Sequence, residues 1–166
     1  MRILGIDPGT INLGYGIVDD EGEMRIIDCG VLNLSPRVSL EERLRSIYAK
    51  LRDVIAEHHP QEVAIEEPFV GRNIRSTLAI GRAQAVAILA AANQELPVYY
   101  YSPARIKQQV AGYGGSDKEQ MQEMVKIQLG LSQPPQPSDA ADALAVAICH
   151  IQQSRFNQWL SHRIPK

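Results

Sequence analysis

Four acidic residues stand where apolar segments meet loops. Asp7 closes the run RILGID (2–7), Glu66 closes EVAIE (62–66), and Asp139 and Asp142 lie three apart in SDAADAL (138–144). If the two apolar runs are parallel neighbouring strands, their C-terminal carboxylates sit about 4.8 Å apart, one strand spacing. Carboxylates that close repel, and one pKa rises strongly unless a cation lies between them. On a helix Asp139 and Asp142 share a face, and the helix N-terminus suits their charge. Oxygen-only ligands favour a hard divalent ion, magnesium or manganese. Two such ions about 4 Å apart can activate a water and stabilise the leaving oxygen of a phosphodiester. No Ser-His-Asp or Cys-His arrangement recommends itself instead.

The acids need elements to carry them. Residues 2–7, 13–19 and 24–34 read as an antiparallel meander, with DDEGE as its hairpin loop. Asp7-Pro8-Gly9-Thr10 has Pro and Gly where a type II turn wants them. Ser39 and Glu42 form a capping-box pattern ahead of a helix over 39–57, a crossover that makes the next strand, 62–66, parallel. The free edge of the first strand is the simplest place for that strand to pair. Residues 76–93 read as a helix rich in small residues and PVYYY (97–101) as a strand, followed by Ser102 as N-cap and Pro103 at the first helical position. Ser116 with Glu119 suggests a second capping box, Gly130 a helix stop, and Ser138 the cap of a last helix through about Ile151. The order β-β-β-α-β-α-β-α-α makes a mixed five-stranded α/β sheet, three antiparallel strands then parallel additions, flanked by helices on both faces. Ligands of such sheets bind at the carboxyl ends of the strands.

With 166 residues, 45% hydrophobic and 22% charged, the chain suits one domain, expected over 1–153 with a tail at 154–166. No run approaches 18 consecutive apolar residues, and the first ten residues do not read as a signal peptide. Cys29 and Cys149 lack metal spacing, which suits a reduced cytoplasmic chain without a membrane partner. His58, His59, His150 and His162 read as structural or solvated. The formal net charge is −2, against a nucleic-acid-coating protein though not against a nucleic-acid enzyme. Residues 1–71 hold seven basic and thirteen acidic groups, net −6, whereas 72–126 hold seven basic and four acidic, net +3. Arg72, Arg75, Lys107 and Lys118 belong to that basic stretch, where DNA would lie.

GIDPGT (5–10), AIEEPF (64–69) and DAADALAVAI (139–148) occur in that order. With GRAQAVAILAAANQELPVY (81–99) and IKQQVAGYG (106–114), the chain resembles the RuvC family of bacterial Holliday-junction resolvases to about residue 150. The resemblance implies a ribonuclease-H-like fold and a homodimer that nicks four-way DNA junctions symmetrically, leaving 5′-phosphate and 3′-hydroxyl ends, in recombination and repair. It implies RuvA and RuvB as partners, and two Mg²⁺ per site held by Asp7, Glu66, Asp139 and Asp142, with Glu67 the nearest rival of Glu66. Some members have His at the position of Asp139.

Phe69 matches an aromatic that the family sets against junction bases. A Phe just past a strand end suits stacking on an unpaired base, its bland alternative being a loop-core residue. Lys107 and Lys118 match functional lysines of the family. A lysine in the first turn of a helix is mildly unfavourable, which hints at a phosphate partner; a solvated lysine is the alternative. The small-residue face at 81–92 borders the dimer interface by resemblance, or packs on the chain's own sheet. Phe156, Trp159 and Leu160 of the tail have either the body or a partner to dock on. The actin and sugar-kinase superfamily shares the form Gly-Ile-Asp-x-Gly-Thr but needs two such halves, and 166 residues hold one. A non-catalytic junction-binding module would be favoured were a metal-site acid missing, but all four are present. A related single-domain RNA nuclease shares the fold and some acids; the DAAD context, Phe69 and the lysines favour the resolvase.

Overall fold

Residues alternate along the first strand so that Ile3, Gly5 and Asp7 share one face and Leu4 and Ile6 the other. Ile3 and Leu4 are both fully buried, so both faces need cover. The computed structural model describes residues 1–9, 11–67 and 74–163. Its strands are β1 (Arg2–Pro8), β2 (Asn12–Asp20), β3 (Met24–Asn33), β4 (Glu62–Glu66) and β5 (Val98–Tyr101). The helices are α1 (Leu40–His58), α2 (Ile74–Ala92), α3 (Pro103–Ala111), α4 (Lys118–Gln128) and α5 (Ser138–Arg163).

The sheet order is β3-β2-β1-β4-β5. β1 pairs antiparallel with β2 and parallel with β4, and β4 pairs parallel with β5. The meander and the pairing of 62–66 on the free edge of β1 are as the crossover logic requires. One core packs α1 and α2 against Leu4, Ile6, Ile17, Val63 and Ile65. The other packs α3, α4 and α5 against Ile3, Val18 and Ala64. Helices thus cover both faces.

Helix α5 lies almost directly on the strands. A Cβ at Gly5 would collide with the carbonyl oxygen of Ala143, and one at Gly14 with that of Asp139. Only glycine permits this backbone-to-backbone approach. It brings the first turn of α5 over the carboxyl end of β1.

Several local expectations are corrected. Gly9 does not take the left-handed φ that a type II turn puts at its third residue; β1 runs on through Pro8, which pairs with Leu13. The box at the start of α4 is formed by Asp117 and Gln120, because Ser116 is buried and its hydroxyl donates to the Tyr113 carbonyl at 2.6 Å. Ser138 is the first residue of α5, since the Pro137 carbonyl already accepts from Ala140 and Ala141. Three helices, rather than two, follow β5, as 103–111 and 118–128 are separate.

Helix α5 also continues past Ile151 to Arg163. No Gly or Pro interrupts residues 152–164, and Arg155 anchors the extension by pairing with Asp20 and donating to the Gly22 carbonyl. Phe156 and Trp159 stack on one another there, half-exposed. Helix α2 is long and apolar enough, by length and composition alone, to cross a bilayer. Arg82 and Gln84 interrupt its middle, and Ala83, Ala87, Ala90 and Ala91 are buried in the core. Its other side leaves Ile74, Leu78 and Leu89 exposed.

Candidate active site

The parallel register places Ile6 beside Ile65, so the next residues, Asp7 and Glu66, stand side by side at the carboxyl ends of β1 and β4. Alternation sends both to the face that α5 covers. Asp139 and Asp142 sit in the first turns of α5, above that edge. One ligand oxygen each from Asp7, Asp139 and Asp142 lie within 4.8 Å of one another. Glu66 joins Asp7 and Asp142 in lining a cleft of about 330 Å³, completed by Lys107 and Lys118 and by Pro103, Ile106, Met121 and Ala145. Three strand and helix ends therefore converge on one volume. Glu67, the rival of Glu66, is exposed and does not line the cleft.

Burial pushes the Asp7 carboxyl up to about 7, and the charges of Asp142 and Asp139 add to it. Burial likewise raises Glu66 to about 8, helped by Asp7 and Asp142. Such shifts mark carboxylates crowded together in a low-dielectric place without enough positive charge. Lys118 supplies some, its Nζ lying 3.0 Å from Asp142 Oδ2, and that hydrogen bond raises the lysine's own pKa. Lys107 pulls Glu66 the other way from its acidic neighbours. A hard divalent cation fits this donor set, which is all oxygen, concentrated in negative charge and open on one side.

Among the nominated DNA contacts, Lys107 and Lys118 line the cleft, whereas Arg75 is exposed in the first turn of α2 and does not. Phe69 and Arg72 lie outside the described residues. The motifs did not point to Asn12, whose Nδ2 donates to Asp139 Oδ2 at 3.0 Å. Gln84 was also missed, reaching the Glu66 carbonyl at 3.4 Å. A meander with Gly22 at its tip would set Asn12 near Asn33, but nothing in the sequence places either beside Asp139.

Acids at the carboxyl ends of two central parallel strands, met by acids from a helix laid over them, are the arrangement of a ribonuclease-H-like fold. Residues 3–150 match the family model described as "Crossover junction endodeoxyribonuclease RuvC". A protein of that name from Dehalococcoides mccartyi is 54% identical over 162 residues, covering 97% of each chain. The structure of Thermus thermophilus RuvC superposes with a TM-score of 0.88 at 37% identity, covering 95% of this chain and 97% of that one. The same protein in complex with a Holliday junction substrate gives 0.90 at 37% identity, over 95% and 96% of the two chains. The chain belongs to the RuvC family.

Proposed function

We propose that this chain resolves four-way DNA junctions by metal-dependent phosphodiester hydrolysis. Family membership makes it a crossover junction endodeoxyribonuclease acting in recombination and repair. The observation that carries the chemistry is the convergence of Asp7, Asp139 and Asp142 within 4.8 Å, with Glu66 facing the same cleft. These four acids would hold two Mg²⁺, with Mn²⁺ a workable substitute. Such a pair supplies water activation and charge stabilisation at both the attacking and leaving oxygens.

The chain's own groups do the rest. Burial first, and the neighbouring carboxylates second, raise Asp7 and Glu66, and a divalent cation held between them would favour their ionised forms. Lys118 and Lys107, at the rim of the cleft, hold the phosphate against the acids. Arg72 and Arg75, which belong to the basic stretch 72–126 of the sequence, are further DNA contacts in this reading. Phe69, just beyond Glu66 in sequence, stacks on an unpaired base near the cut. The products carry 5′-phosphate and 3′-hydroxyl ends.

Two symmetric cuts need two sites related by a two-fold axis, so the working unit is a homodimer. The exposed side of α2, with Ile74, Leu78 and Leu89, supports that pairing. RuvA and RuvB are the cellular partners by family, and the cytoplasm is the place of action. In this reading the nuclease body is 1–153 and the tail is 154–166, of which 154–163 continue α5.

The test is cleavage with Mg²⁺ on a four-way junction, a linear duplex and an RNA–DNA hybrid side by side. Paired nicks confined to the junction are expected. Equal turnover of the hybrid would instead favour the RNA-nuclease reading.

A further inference from the structure

Asn12 opens β2 and is the cross-strand partner of Asn33 on β3. Its Nδ2 donates to Asp139 Oδ2 at 3.0 Å, while its Oδ1 accepts from Asn33 Nδ2 at 3.3 Å. The two ends of an amide are alike in shape but opposite in hydrogen-bonding character. An ionised carboxylate accepts and never donates, so the amide nitrogen has to face Asp139. The Asn33 side chain then fixes the amide by donating to its oxygen. Contact is close here for a separate reason, since the Asp139 carbonyl abuts Gly14, two residues along β2 from Asn12.

The two acids on α5 are held in different ways. Asp142 meets the Lys118 ammonium, which offsets part of its charge. Asp139 meets a neutral donor, which fixes one oxygen without adding a compensating charge. Groups of that kind, one shell outside a metal's ligands, orient the ligand and set its basicity. We propose that Asn12, held in turn by Asn33, is a positioning residue that presents the Asp139 carboxylate to a divalent cation shared with Asp7 and Asp142. The proposal rests on the metal-site reading above and deepens it.

The test is Mn²⁺ binding to the DNA-free protein by titration calorimetry, with thermal unfolding in EDTA as the measure of fold. Asn12→Leu keeps the size of the side chain and removes the donor. It should weaken Mn²⁺ binding by about 10–100-fold, the usual cost of losing an outer-shell partner, while Tm in EDTA stays within about 3 °C. Asn33→Leu leaves Asn12 in place but unlocked, so it should act in the same direction by only a few-fold. Junction binding in EDTA should be unchanged in both. Wild-type Mn²⁺ affinity in a folded Asn12→Leu protein overturns the proposal. Should that variant fail to fold, wild-type affinity in Asn33→Leu overturns it equally. No Mn²⁺ uptake by the wild type sinks the metal-site reading and the proposal together, whereas wild-type uptake matched by the variants sinks the proposal alone.

Discussion

Strand β4 carries two glutamates on the same face, four residues apart, and they live under opposite regimes. Glu62 Oε2 lies 2.5 Å from His150 Nε2, and the other nitrogen of that buried ring lies 2.7 Å from the Tyr101 hydroxyl. Every polar group in this cluster has a partner. Glu66, at the other end of the strand, faces Asp7 and Asp142, and its carboxyl is pushed to about 8 by burial and those charges. Both acids look across at α5, which supplies a histidine at one place and an aspartate at the other. A fold can satisfy a half-buried glutamate when stability is all that is asked of it. Where acids are left crowded and undercompensated instead, the missing charge must come from outside.

The sharpest way to break this contrast is to remove one acid of each kind. Glu66→Gln and Asp7→Asn should each lower junction cleavage by well over about a hundredfold, more than the loss of an outer-shell partner. Gel-shift binding to the junction should persist. Glu62→Gln should cleave within about twofold of wild type. Equal losses in single-turnover assays of Glu62→Gln and Glu66→Gln would abolish the distinction.

Lys118 lies between the two regimes, being a partner the chain itself supplies to one of the clustered acids, Asp142. Lys118→Ala should lower cleavage by about tenfold or more, as expected for a group that stabilises transferring phosphate. In the absence of DNA it should raise Mn²⁺ affinity, because a competing cation has left Asp142. The gain should not exceed about fivefold, since a half-exposed ion pair contributes at most about 1 kcal/mol. Calorimetry showing weaker metal binding in this variant would mean the lysine helps hold the ion rather than standing in for it.

Stability against pH separates the regimes further. Asp7 and Glu66 ordinarily titrate at 3.8 and 4.5, against about 7 and about 8 in the folded chain. Between those values the folded state holds protons that the unfolded state has released. The contribution of the pair to stability is therefore present below pH 4 and is lost as pH rises to about 8. Thermal unfolding in EDTA should show the site acids eroding Tm across that window. Saturating Mg²⁺ should raise Tm by several degrees, most at pH 8 and least at pH 5. An Mg²⁺ effect that does not depend on pH would contradict these shifts.

The smallest effect belongs to the satisfied cluster. Tyr101→Phe removes the hydroxyl facing His150 and should cost about 1 kcal/mol, or about 2–4 °C in Tm, without changing cleavage. A cleavage defect in this variant would extend the functional region from Glu66, whose strand partner is Tyr101, into the His150 cluster.

The site acids were legible because each sits where periodicity stops: Asp7 and Glu66 at the ends of apolar strands, Asp139 and Asp142 at the head of a buried helix. Parallel pairing of β1 with β4 followed from a helix too long for a hairpin. What escaped was set by tertiary packing or by competing local bonds. Asn12 is ordinary at a strand start, and Asp139 reaches it across 127 positions only once α5 has docked. Ser116 and Asp117 are both good caps, and the choice fell to Asp117 because Ser116 was drawn into the loop by Tyr113. Residues 154–163 joined α5 because no Gly or Pro interrupts them and Arg155 found Asp20, a partner 135 positions away.

The contact of α5 with Gly5 and Gly14 has a mechanical consequence. Side chains between layers act as springs, shifting rotamers as temperature or mutation changes their surroundings. Here peptide carbonyls rest against strand backbone with nothing compressible between them. The separation of Asp7 from Asp139 and Asp142 thus inherits the stiffness of two main chains, and the gauge of the cleft is ground into the fold rather than adjusted by its lining.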